Sequence, residues 1–258
     1  MEKTFYDTAW NGKVEEVKSI LRKNPSLNVN WKNEGESAWT ALYAACENGH
    51  DSVVSILLAH PDINPNLKME DGFTPFMNAC FSGSTSCVRL LLQDHRVVVN
   101  EPSDKGFIPL YWAADEGHQD VIKWWIGSGR EMNLGKPGDI SKTDAIGAAK
   151  ERRKTEVVSL LERFKENPDD TRYAMRVELG WYDALAAEMF ALVVFVSDGL
   201  LQTKDTTTPS PAARFFNIAR SLPLELQMVL CHRQVGSGKE IILGKESEVA
   251  IRELARRL

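Results

Sequence analysis

The chain has 258 residues, 43% of them hydrophobic and 26% charged. That is the profile of an ordered globular protein, and the length suits one large domain or a repeat array with an added module. The formal net charge of −5, with no basic stripe, gives no electrostatic reason to expect DNA or RNA as a partner. The four cysteines, Cys46, Cys80, Cys87 and Cys231, form no Cys-x-x-Cys pair, so neither a zinc site nor a redox motif is suggested and no metal or cofactor is expected.

The opening MEKTFYDTAW has no apolar core and no cleavage signal, so no secretory signal is expected. With the cysteine usage, this points to a reducing compartment: the cytoplasm, with the nucleus as the alternative. Internal repeats come next, because missing them miscalls the whole fold. TALYAACENGH (Thr40–His50), TPFMNACFSGS (Thr74–Ser84) and IPLYWAADEGH (Ile108–His118) align without gaps at a spacing of 34. Gly49, Gly83 and Gly117 share a column, as do Val54, Val88 and Ile122, then Leu58, Leu92 and Ile126. Asn66 and Asn100 share another. A diverged first copy fits around Ala9, Gly12, Val17, Ile20 and Leu21, and a diverged last one fits Thr143–Leu161. Lys150, Arg152, Arg153 and Lys154 in that last copy read as the solvated face of a helix.

These columns resemble the ankyrin family, whose repeat of about 33 residues carries T-P-L-H-x-A followed by a Gly-His turn. The resemblance implies an all-α solenoid of about five helix-turn-helix repeats with β-turn fingers. The repeats occupy 1–165, and 166–258 form a helical C-terminal region. Ala45, Ala79, Ala113 and Ala148 would let the first helices lie close together. Cys46 and Cys80 would act as small hydrophobes beside them. The glycines suit the left-handed residue that ends each first helix. The Val and Leu columns suit the stacking face of the second helices. Ala38 replaces the usual glycine before Trp39-Thr40, and Ser84 replaces the histidine. Trp124 and Trp125 replace smaller residues, and their bulk is expected between the fourth and fifth repeats or against the C-terminal region.

The family usually meets a partner protein through its finger tips and first helices, on the concave face. Carried onto this chain, the resemblance places Trp39, Phe73 and Phe107 in the variable position before the repeat's threonine. Tyr43, Met77 and Tyr111 fall in its histidine position, and Glu47, Phe81 and Asp115 fall two places before the glycine. Such a row would form an apolar ladder with steps of about 10 Å. Two readings stay open: the rings anchor a partner, or they brace each finger against the next repeat. The nearby acids would favour a partner with apolar and basic character.

No Ser/His/Asp arrangement, H-E-x-x-H or glycine-rich strand–turn–helix signature occurs. Gly236–Glu240 lacks the spacing of a phosphate loop. Glu178, Asp183, Glu188 and His232 have no recognisable catalytic spacing, so no enzyme is expected. His50 and His118 fall in the turn where the family uses the side chain to bond backbone.

Past Leu161 the repeat signal stops. Asn167-Pro168-Asp169-Asp170 reads as a helix stop and a new start. Thr171–Leu201 reads as one or two helices broken near Gly180. The apolar run Ala184–Val196 is too short to span a bilayer comfortably and carries Glu188, so it reads as a buried helix. Lys204–Pro211 reads as a polar loop, Ala212–Arg220 as a helix, and Lys245–Leu258 as a last amphipathic helix. In SLPLELQMVL (Ser221–Leu230), Leu222, Pro223, Glu225, Leu226 and Leu230 are similar to the opening of the F-box, which recruits Skp1–cullin ubiquitin ligases. The second half of that motif has no clear counterpart here. A plain capped helix start is the other reading. A protein partner, a Skp1-like one included, is therefore expected, with no nucleic acid and no membrane.

Overall fold

Three of the five first helices start where a side chain satisfies an orphan amide at the helix end. Thr40 Oγ1 accepts from Tyr43 N at 3.2 Å, and Thr74 Oγ1 accepts from Met77 N at 3.1 Å. Asp144 Oδ1 accepts from Gly147 N at 2.8 Å. Ile108 cannot cap, and there Pro109 supplies the preset φ of the first helical position. The helices end in the glycine turn: Gly83 has φ 71° and Gly117 φ 84°. Arg153, at φ 58°, takes that left-handed place in the last repeat.

The computed structural model describes residues 1–135, 143–197, 211–219, 222, 224–235 and 250. The first ten helices pair into five repeats. These are α1 (Glu2–Trp10) with α2 (Val14–Lys23), α3 (Ala41–Glu47) with α4 (Asp51–Leu58), and α5 (Pro75–Ser82) with α6 (Thr85–Gln93). They continue with α7 (Pro109–Glu116) and α8 (Gln119–Ser128), then α9 (Ala145–Glu151) and α10 (Thr155–Glu166). Odd-numbered helices pack on odd and even on even, giving an inner and an outer layer. No strand occurs among the described residues, and the second and third fingers are turns closed by Gly72 N to the Met69 carbonyl and Gly106 N to the Ser103 carbonyl. The fold is therefore the all-α repeat solenoid expected, with further helices after it.

The kept columns are the core. Ala45, Ala79 and Ala113 are fully buried, as are Cys46 and Cys80; in the last repeat Ala149, four residues before Arg153, takes the place read for Ala148, and both are fully buried. Val54, Val88 and Ile122 are equally buried on the outer layer. Burying each such aliphatic side chain is worth about 1.5–3 kcal/mol. Because each repeat offers only half a core, the apolar cluster runs unbroken from Phe5 to Met175. Trp125 lies edge-on to Phe76 at 5.0 Å, and Arg89 stacks over Trp124 at 5.1 Å. Both indoles thus meet the third repeat. Trp125 shares the inward column of Leu57 and Leu91, which points into the core.

Side chains tie neighbouring turns together. Asn30, Asn66 and Asn100 each donate to a carbonyl and accept from an amide one repeat later. Asn30 bonds Asp62 and Asn64, Asn66 bonds Arg96 and Val98, and Asn100 bonds Glu131 and Asn133. His50 Nε2 lies 2.9 Å from the Trp10 carbonyl oxygen, and His118 Nε2 lies 2.9 Å from that of Phe81. Ser84 is too short to make the bond that the histidine makes at two other joints, and instead meets Ser82 at 3.0 Å. The four cysteines are free and buried. The Cys87 hydrogen bond and burial push the Cys46 thiol well above its ordinary value, and burial raises that of Cys80.

The chain divides into two units, Met1–Met175 and Arg176–Leu258, later than the 165/166 boundary read from the repeat signal. The first turns of α11 (Pro168–Glu178) explain the difference, because Thr171 and Met175 are buried with the repeats. In the second unit, α12 (Trp181–Ser197) packs against α13 (Pro211–Ala219) and α14 (Leu224–Gln234). Ala186, Phe190, Ala191 and Val193 meet Ala219 and Cys231 there. Burial raises the Cys231 thiol to about 11. Gly180 separates α11 from α12 at φ 65°, as the sequence reading had it. Ala184, Leu185 and Glu188 are exposed, so α12 is buried on one side only. Among the described residues no single helix is long and apolar enough to cross a membrane. The expected loop at 204–210, the phosphate-loop lookalike at 236–240 and all but Ala250 of the expected last helix lie outside the described residues.

Candidate partner-binding face

The inner helices hold six of the nine candidate residues, and three fingers hold Trp39, Phe73 and Phe107. Each closes by a backbone bond across its base: Asn33 N to the Trp39 carbonyl at 2.8 Å, Met69 N to Phe73 at 3.0 Å, and Ser103 N to Phe107 at 2.8 Å. Neighbouring fingers join through Glu70 N to the Ser37 carbonyl and Asp104 N to that of Asp71. Gly72, at φ 77°, allows the second contact, because a Cβ there would stand 2.4 Å from Asp104 N.

Trp39, Phe73 and Phe107 are all half-buried. They do not form one uniform ladder. In the first group, Trp39 stacks on Trp10 at 5.5 Å and meets Tyr43 at 4.8 Å, while Tyr6 joins Trp10 and Trp31 at 6.4 and 6.3 Å. In the second, Trp112 is the hub. It meets Phe73 at 5.5 Å, Phe81 at 5.4 Å, Phe107 at 5.2 Å and Tyr111 at 5.5 Å. Phe107 also meets Tyr111 at 4.8 Å. No ring contact among the described residues joins the two groups. Such pairs contribute about 0.5–1.5 kcal/mol each beyond area burial, so bracing is one role of these rings.

Three of the nine candidates are not on the surface. Tyr43 is 4% exposed and Met77 fully buried, whereas Tyr111 in the same column is half-buried. Asp115 is 7% exposed and accepts from Arg152 Nε at 3.0 Å, which raises the guanidinium's pKa. Burial raises the Tyr43 hydroxyl, with the Glu47 and Asp71 carboxylates adding to it. Burial also raises Tyr6, aided by the hydrogen bond it donates to Glu36. Glu47 and Tyr111 are half-buried, and Phe81 is 39% exposed.

Trp112 was not among the candidates. Its column holds Ala44, Asn78 and Trp112, three sizes in one place amid kept columns, and that variability was its signal. Trp39 Nε1, Asn78 Nδ2 and Trp112 Nε1 are buried without a hydrogen-bond partner. Each such donor costs about 1–3 kcal/mol. Three of them lie on the fingers and inner helices of consecutive repeats.

A family model of ankyrin repeats (3 copies) matches residues 5–102 and 61–136, together just over half of the chain. The chain belongs to the ankyrin-repeat family. No curated protein matches it. Ankyrin-repeat proteins are protein–protein interaction modules and are typically not enzymes, so a general role in binding protein follows from the family. Within the second unit, Leu226 is 51% exposed on α14, and Leu230 packs against the small core. Gln227 Nε2 donates to the Leu222 carbonyl at 2.9 Å, closing the helix start. Pro223 and the Glu225 side chain lie outside the described residues. That carbonyl bond accounts for the phrase as a helix start, and the F-box likeness has no support from the family comparison. Of the residues weighed for catalysis, Glu188 is exposed and His232 is buried with both ring nitrogens unpartnered.

Proposed function

We propose that this protein is a scaffold that binds a partner protein through the fingers and inner helices of its second to fourth repeats. The observation that carries the reading is the run of half-exposed aromatic rings on that face, from Trp39 through Phe73 and Phe81 to Phe107 and Trp112. Aromatic rings bury much area with few rotors, so they anchor interfaces at low entropic cost. The test compares the full chain with a Trp39→Ala/Phe73→Ala/Phe107→Ala variant that keeps its circular dichroism spectrum. Both are used to capture proteins from an extract of the source cells. Specific partners lost with the variant support the reading; partners retained in full reject it.

A second reading makes the chain a substrate adaptor of a Skp1–cullin ubiquitin ligase. The half-exposed Leu226 at the start of α14 favours it, since that segment must offer apolar side chains to a Skp1-like protein. Co-purification with Skp1, abolished by Leu222→Asp/Leu226→Asp, is its expected outcome. A folded wild-type chain that captures no Skp1 rejects it. Both readings place the protein in a reducing compartment, where four free thiols persist.

A further inference from the structure

The charges around the aromatic rings are mostly of one sign. Glu34, Glu70, Asp71 and Asp104 are exposed at the three finger tips, and Glu47 and Glu116 end the inner helices α3 and α7. None of these six carboxylates has an ion-pair partner among the described residues. The cations close by are largely committed. Lys68 is bonded to Glu101 and the Pro102 carbonyl, Lys32 to the Lys68 carbonyl, and Arg152 to Asp115. Among the described residues of these three tips, Lys105 is the one exposed cation. Fingers one helix layer apart stand about 10 Å from each other, so their fields add at low salt and are weakened at physiological salt, whose screening length is about 8 Å.

The second observation is independent of charge. The partnerless donors Trp39 Nε1, Asn78 Nδ2 and Trp112 Nε1 sit one in each of the same three repeats, and Asn78 is only 2% exposed. They need acceptors. The acidic rim repels anionic acceptors, whereas the carbonyl oxygens of a peptide are neutral. Both indole rings are half-exposed, so an occupant of this face lies against the rings that carry two of these donors.

We infer that the occupant of this face is an extended, basic segment of a partner protein, in which Lys or Arg alternates with apolar residues. Its cations meet the finger carboxylates and the aromatic faces. Its apolar side chains cover the rings, and its main-chain carbonyls accept from the indole and amide donors. This rests on the reading that the aromatic face is the partner surface.

The test is a selection of short random peptides on the immobilised full chain, followed by fluorescence anisotropy of the winners. Expected are peptides rich in Lys, Arg and apolar residues that bind about tenfold more weakly to Glu70→Lys/Asp71→Lys/Asp104→Lys, and more weakly in high salt. The isosteric Glu70→Gln/Asp71→Asn/Asp104→Asn variant, which leaves the finger backbone bonds in place, should fall between the two. Neutral or acidic peptides that ignore both finger variants, yet are lost with Trp39→Ala/Phe73→Ala/Phe107→Ala, overturn the basic occupant and leave the aromatic face standing. Winners that ignore the aromatic variant, or a selection that enriches nothing, overturn both.

Discussion

Ala38, Gly72 and Gly106 occupy one place in three successive fingers, and all three have positive φ: 60°, 77° and 79°. Only glycine takes that conformation freely, and a Cβ there costs about 1–2 kcal/mol. Part of this is offset by the smaller backbone entropy that alanine loses on folding. Ala38→Gly is therefore expected to stabilise the chain by about 0.5–1 kcal/mol, read as a higher denaturation midpoint in urea. An unchanged or lower midpoint would mean that neighbouring Ser37, also at positive φ, already fixes the turn. His232 presents a different imbalance. Its ring is 1% exposed, and neither nitrogen has a partner. Replacing a partnerless buried polar group by an apolar one of similar size is neutral or stabilising. His232→Leu should leave the thermal midpoint equal or higher; a fall of several degrees would show that the imidazole is bonded.

Between elements, the joint of the second and third repeats lacks the histidine present at two others. The carbonyl corresponding to those of Trp10 and Phe81 is that of Glu47. Ser84→His should aim Nε2 at that oxygen and add about 0.5–1.5 kcal/mol, measured by chemical denaturation. A loss of stability would show that the Ser82–Ser84 contact cannot be displaced. The helices themselves were legible in the sequence, since the Ala, Val and Leu columns recur wherever a repeat must stack. So were the histidine turns, because each bond joins the same two columns. The two aromatic groups were not. Whether Trp39 turns to Trp10 or to Phe73 depends on side-chain direction across a joint, and no column records that. Tyr43 and Met77 were placed outside because the histidine position lies near the surface in the family pattern. Here an apolar residue in that position is drawn into the inner layer.

For the molecule as a whole, stability is shared, since the repeat core is one cluster from Phe5 to Met175. Leu91, fully buried in the central repeat, touches that shared core in its middle. Leu91→Ala should cost about 2–5 kcal/mol and lower the thermal midpoint of the repeat unit as a whole. A negligible shift would show that the outer helix α6 does not carry the stack. The second unit was read less fully. The helix starts at Pro168, just before it, and near Gly180, within it, were visible as punctuation, but α12 carries no repeat. Nothing in its composition told a core of its own from a surface for the repeats.

The asparagine ladder has a consequence for how such a chain can grow. Each of Asn30, Asn66 and Asn100 grips the turn one repeat further on, so an inserted residue within a turn would break two bonds at once. Between Asn30 and Thr40 the chain nevertheless has two more residues than between Asn66 and Thr74. Both are absorbed in the first finger, where Glu34–Glu36 form a short 3-10 turn. Duplication of entire units and length changes at the finger tips are thus the two edits that leave the ladder intact. Inheritance can rewrite the recognition loops while the frame beneath them is copied unchanged.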